Sequence, residues 1–160
     1  MNQREKGFSL IELLIVVAII LIIAAIAIPN LLRARMQANE SSAVSSLHAV
    51  NTAEISYATL FPTVGYAPSL LALGDGGTAP CAGTSDASCY LDANLASGTK
   101  SGYLFAYTLD AAMTPALHYS VTADPVTRGI SGQRGFFSSD QNVTRFNATG
   151  AASSSDSPLQ

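Results

Sequence analysis

From Leu13 to Ile28 the chain reads Leu-Leu-Ile-Val-Val-Ala-Ile-Ile-Leu-Ile-Ile-Ala-Ala-Ile-Ala-Ile, with no polar side chain anywhere in the run. Counted from Phe8, the segment to Ile28 forms a helix of roughly 30 Å, the thickness of a bilayer's hydrocarbon core. The sequence therefore predicts a membrane span. Setting that span and a polar tail aside leaves roughly 100 residues of the 160 for one modest globular core, with no room for a second. Charged residues make up 12% of the chain and the formal net charge is -3. No broad basic surface is thus available to bind nucleic acid by counterion release, and no specific nucleic acid is predicted as a partner.

A short polar leader, Met-Asn-Gln-Arg-Glu-Lys-Gly, precedes the span. Arg4 and Lys6 on one side are balanced by Arg33 and Arg35 on the other, so lysine and arginine counts leave the orientation open. Glu12 stands about one helical turn inside the apolar stretch, where an ionisable side chain costs free energy unless it reaches water or a partner. On the residues alone two readings stay open: a functional acid, or a side chain snorkelling to the interface.

Gly7-Phe8-Ser9-Leu10-Ile11-Glu12, the unbroken apolar helix behind it and Pro29-Asn30 beyond it resemble the class III signal of type IV prepilins and pseudopilins. The resemblance implies a leader over 1–7, cut by a prepilin peptidase between Gly7 and Phe8, N-methylation of Phe8, and a polymerisation helix over 8–29. It implies that Glu12 of one subunit meets the amine of Phe8 on a neighbour during assembly. It also implies a precursor in the inner membrane, N-terminus cytoplasmic and head periplasmic, that moves into a pilus at the cell surface. The implied partners are further copies of itself or other pilins, an inner-membrane platform protein and an assembly ATPase. A rival reading takes Ala25-Ile26-Ala27 as the small-residue motif of an ordinary secretory signal. Such signals have apolar regions of about 7 to 15 residues and carry no acid such as Glu12.

Beyond Pro29 an amphipathic helix is predicted over 30–61, free of glycine and proline until Pro62. At about 100° per residue, Leu32, Met36, Ala43, Leu47, Val50, Tyr57 and Phe61 fall on one stripe, with Glu54 intruding. Arg33, Gln37, Ser41, Ser45 and His48 lie opposite. The pattern predicts a helix covering a sheet, with Glu54 and His48 at its rim or in solvent. Pro29 interrupts what is otherwise one helix, removes a backbone donor and predicts a kink there.

The head is expected over 62–150. Its first part, Thr63 to Thr99, is rich in Gly, Ala, Ser and Thr and predicts a long loop, pinned by Leu70, Leu71, Leu73 and the pair Cys81 and Cys89. In an exported chain so close a pair is normally a disulfide, worth about 2.5 kcal/mol by loop closure. Two free thiols are the alternative, and no second Cys or His pair lies near enough to complete a zinc site. Four strands are predicted: Tyr103 to Leu109, Leu117 to Ala123, Arg134 to Ser138 and Val143 to Asn147. Tyr103, Phe105, Tyr107 and Leu109 alternate onto one face of the first. The fold class is α+β, a long helix packed on a C-terminal antiparallel sheet of about four strands, which in the resembling family is the ladle fold. The tail over 151–160 is expected to be disordered.

Little in the chain supports catalysis. His48 and His118 belong to no ligand pattern, no nucleophile elbow surrounds a serine, and Gly74 to Gly77 lacks the Lys-Ser or Lys-Thr of a phosphate loop. Asp140 offers a single carboxylate to a calcium ion. Neither a cofactor nor a metal is predicted, and the chain is read as no enzyme. The expected function is that of a structural pilus subunit, serving adhesion, surface motility or DNA uptake. A type II secretion pseudopilin is the alternative, and a monomeric membrane-anchored periplasmic binding module is the third reading.

Overall fold

The structure, a computed structural model, describes residues 9–77 and 82–159. The fold is α+β, and the chain divides after Arg35 into two units. One helix, α1 (Leu10–Leu60), belongs to both. Ser9 precedes its first turn, and it stops at Leu60, one residue short of the Phe61-Pro62 step that disfavours helix. Pro29 sits inside it, so Ala25 loses the amide its carbonyl would otherwise accept from, yet the helix does not end there.

In the first unit α1 is apolar on every side from Leu13 to Ile28, with Glu12 before that run and Asn30, Arg33 and Arg35 after it. In the second it becomes amphipathic, burying Ala43, Leu47, Val50, Ala53 and Tyr57. On its polar side Thr52, Ser56 and Thr59 each donate a hydroxyl hydrogen to the carbonyl four residues back, which satisfies the hydroxyls within the helix.

Five strands form an antiparallel meander in chain order: β1 (Thr99–Lys100), β2 (Tyr103–Asp110), β3 (His118–Pro125), β4 (Gly135–Ser139) and β5 (Arg145–Asn147). Alternation decides the buried face. Tyr103 and Phe105 of β2, Tyr119, Val121 and Ala123 of β3, and Phe136 of β4 join the α1 residues in one core. Tyr107 and Leu109 pack against that core half-buried, as the period of two predicts.

Two polar clusters fix the register of α1 on the sheet. Asn51, 1% exposed, donates through Nδ2 to Ser138 Oγ and to Asn142 Oδ1, both at 2.8 Å. Its Oδ1 accepts from the Tyr119 hydroxyl at 2.9 Å. Near the other end Glu40 accepts from the backbone amides of Gln133 and Arg134 and from Arg134 Nε at 2.8 Å. The loop between β3 and β4 is thereby tied to the helix.

The antiparallel sheet of about four strands is present as expected and has five among the described residues, because β1 pairs with the start of β2, Thr99 opposite Leu104 and Lys100 opposite Tyr103. Several expectations are corrected. The stretch Thr63 to Thr99 contains two short helices, α2 (Leu70–Leu73) and α3 (Ala93–Ala96). Ser69 and Asp92 cap them by accepting from Ala72 N and Leu95 N. Leu32 is exposed, so the buried stripe starts later than predicted. His48 is exposed as expected, but Glu54 is fully buried rather than at the rim. The tail expected to be disordered is packed: Ala152 is buried, Leu159 N donates to Thr144 O, and Phe146 N donates to Ser157 O.

Candidate functional site

The segment that most needs explaining is Leu10 to Ile28. Its helix is long and apolar enough to cross a membrane. Every large hydrophobic side chain on it is exposed, from Val17 at 46% to Leu10 at 78%. At about 1 kcal/mol for each half-exposed side chain, keeping this surface in water costs more than ~10 kcal/mol. That is the size of a whole domain's stability of about 5–15 kcal/mol. A cover of lipid or of other helices is therefore required.

Glu12 lies in the first turn of α1 and reaches back, its Oε2 accepting from Ser9 N at 2.9 Å. This is the acidic half of a capping box, which satisfies a helix-end amide that has no partner in the helix. A carboxylate also suits the positive end of the helix dipole. Glu12 thus has a local role in the isolated chain, in addition to any role between chains.

The other sequence-derived residues distribute as follows. Gly7, Phe8 and Cys81 lie outside the described residues, so the cleavage site, the methylated position and one half of the predicted disulfide carry no geometry. Pro29 is within α1. Cys89 sits at a positive φ of 71°, its Sγ 3.4 Å from Ala87 O. Asp140 does not gather ligands: its Oδ2 is 2.9 Å from His118 Nδ1, and no cluster of three or more His, Cys, Asp or Glu occurs among the described residues. Sequence reasoning missed Asn51 and Glu40 as anchors. Their signal was helical phase, since Glu40 is one turn before Ala43 and Asn51 one turn after Leu47.

A family signature described as the prokaryotic N-terminal methylation motif matches residues 2–28. The type IV major pilin protein PilA of Myxococcus xanthus is 45% identical over 74 residues, 42% of this chain and 34% of that protein. The N-terminal part of the chain is thus similar to type IV pilins. The chain is also similar to the type IV wide pilus major component PilA4 of Thermus thermophilus, 60% identical over 46 residues, covering 29% of this chain and 35% of that one. The type II secretion system core protein G of Dickeya chrysanthemi is 33% identical over 52 residues, 32% of this chain and 34% of the relative. The chain thus spans about a third of the length of the curated relatives it matches. No solved structure matches.

Proposed function

We propose that this chain is the structural subunit of a type IV pilus filament, built by stacking the apolar segment of α1 after the leader 1–7 has been removed and Phe8 methylated. The observation that carries the reading is the uncovered helix Leu10 to Ile28, in a chain whose residues 2–28 match a methylation motif. Lipid covers this surface in the precursor and neighbouring helices cover it in the fibre. The transfer gains little hydrophobic free energy by itself, because lipid is as apolar as leucine. Assembly therefore draws on a cytoplasmic ATPase acting through an inner-membrane platform protein. Once out of the bilayer, a subunit is held by about 1.5–3 kcal/mol per buried Leu, Ile or Val against escape into water.

The N-terminus is cytoplasmic and the head, residues 62–159, is periplasmic before assembly. Glu12 offers its carboxylate to the methylated amine of Phe8 on the next subunit, setting the register of the stack, and Pro29 lets α1 bend as it packs. The cysteines Cys81 and Cys89 close a disulfide in the exported head. Sheared fibres labelled with an antibody to the head, together with the mass of the mature N-terminal peptide, test the reading. Labelled filaments and a peptide beginning at methylated Phe8 support it. A mature chain beginning at Ile28, or a chain that keeps residues 1–7 and stays monomeric, overturns it.

A type II secretion pseudopilin is the second reading, favoured by the similarity to core protein G. Loss of exported enzymes on deletion, without loss of surface fibres, selects it.

A further inference from the structure

We propose that Glu54 is a protonation-controlled latch on the connection between α1 and α2: a neutral carboxyl locks that connection to the sheet and a carboxylate releases it. Glu54 projects from α1 into the core and is 0% exposed. Its Oε2 accepts from Ala67 N at 2.9 Å, while its Oε1 has no hydrogen-bond partner among the described residues. The carbonyl of the same Ala67 accepts from the Tyr107 hydroxyl at 2.7 Å. One residue of the connection is thus held from both sides, by α1 through Glu54 and by β2 through Tyr107.

The neighbours decide which protonation state the site accepts. Tyr57 on α1, Tyr66 on the connection, Tyr107 on β2 and Tyr119 on β3 all interact with the Glu54 charge. Beyond them Asp86 acts on Tyr57, and Asp140 acts on Tyr66 and Tyr119. None of these groups is a cation, and among the described residues no Lys, Arg or His acts on the carboxyl itself. Burial pushes the Glu54 carboxyl up to about 7, outweighing the lowering by the Ala67 amide and Tyr107. A buried anion with no counter-charge is among the costlier defects in a core.

Release has a defined path. Tyr66 N donates to Ala116 O at 3.0 Å and Ala116 N donates to Val64 O at 2.9 Å, so the connection also holds the loop between β2 and β3. Gly65 permits this backbone-to-backbone approach, since at its φ of +86° a side chain would collide with the Ala116 backbone. Freeing Ala67 loosens Tyr66 and Ala116 with it.

The test uses the full chain in detergent micelles, with amide hydrogen exchange at Tyr66, Ala67 and Ala116 corrected for intrinsic rates, and a carbon-13 titration of the Glu54 carboxyl. Protection of those amides is expected to fall roughly fifty-fold between about pH 5 and about pH 8, while the β3–β4 ladder keeps its protection. Glu54→Gln keeps an acceptor for Ala67 N but cannot ionise, so its protection should be flat across that range. A Glu54 carboxyl titrating at the ordinary glutamate value overturns the latch, as does equal loss across the β3–β4 ladder. An unchanged pH dependence in Glu54→Gln also overturns it. Should that variant not fold, the wild-type titration and exchange decide alone.

Discussion

Asn51 concentrates more of the head's specificity than any apolar side chain near it. Both ends of its amide are used, by Ser138 and Asn142 on one side and by Tyr119 on the other. Truncating it strands a buried tyrosine hydroxyl and a buried serine hydroxyl, each costing the desolvation of a polar group without its partner. Asn51→Ala should therefore destabilise the head by about 2–4 kcal/mol in denaturant melts, more than a buried alanine or valine substitution on the same helix. Loss of under about 0.5 kcal/mol would show that the network is dispensable. The two buried carboxylates of α1 work in opposite senses with pH. Burial raises Glu40, but the Gln133 and Arg134 amides and the Arg134 guanidinium outweigh it, leaving the carboxyl below its ordinary 4.5. Its contribution is present above that value and is lost as pH falls through the folded-state pKa. Glu54, raised to about 7, contributes fully below 4.5 and its contribution is lost as pH rises through 7. Glu40 thus acts below about pH 4.5 and the Glu54 latch above it, the latter loss being confined to the connection between α1 and α2.

At the scale of elements, the strands with strong alternation were legible and the polar segments were not. Tyr103 to Leu109 announced β2 because tyrosine, phenylalanine and leucine repeat every second residue, and the observed β2 differs by one residue at its end. β1 is only Thr99 and Lys100, held by its pairing with β2, and two residues carry no period to read. The tail failed for a different reason. Its serines, aspartate and proline have the composition of a solvated chain, yet Asp156 organises them by accepting from Ser153 N at 2.7 Å and from Asn147 Nδ2 at 3.2 Å. Arg145 Nη1 adds a bond to Asp156 O, and Pro158 lies in a bridge to Arg145. Composition cannot signal such order, because the bonds exist only once β5 is in place. Deleting 151–160 should accordingly lower the melting temperature of the head by several degrees, on the order of 2 kcal/mol, by removing the cover over β5. A melt identical to that of the full chain would return the tail to the disordered class.

At the scale of the whole molecule the chain must be soluble in two media, and its sequence separates the two requirements along its length. Leu10 to Ile28 is suited to a medium without water, while the buried residues of the helix from Met36 onward suit one with it. The first requirement was legible because it is a matter of composition. The pairing proposed for Glu12 is not a matter of composition, because it calls for Phe8 of another copy, whereas in the single chain the carboxylate closes the end of its own helix at Ser9. The two roles predict different losses. Removing only the cap costs about 0.5–2 kcal/mol at a helix end and should leave fibres intact. Removing one partner of a pair buried in a bundle costs about 3–5 kcal/mol per subunit and should prevent assembly. In the filament reading the peptidase recognises Gly7 and Phe8, so that reading predicts that Glu12→Ala is still processed to a chain starting at Phe8. Its sheared-fibre fraction should be strongly reduced, whereas replacing Gly7 should leave an uncut precursor in the membrane. Immunoblots of the membrane and sheared fractions distinguish the cases. Abundant normal fibres from Glu12→Ala would confine that carboxylate to its capping bond with Ser9.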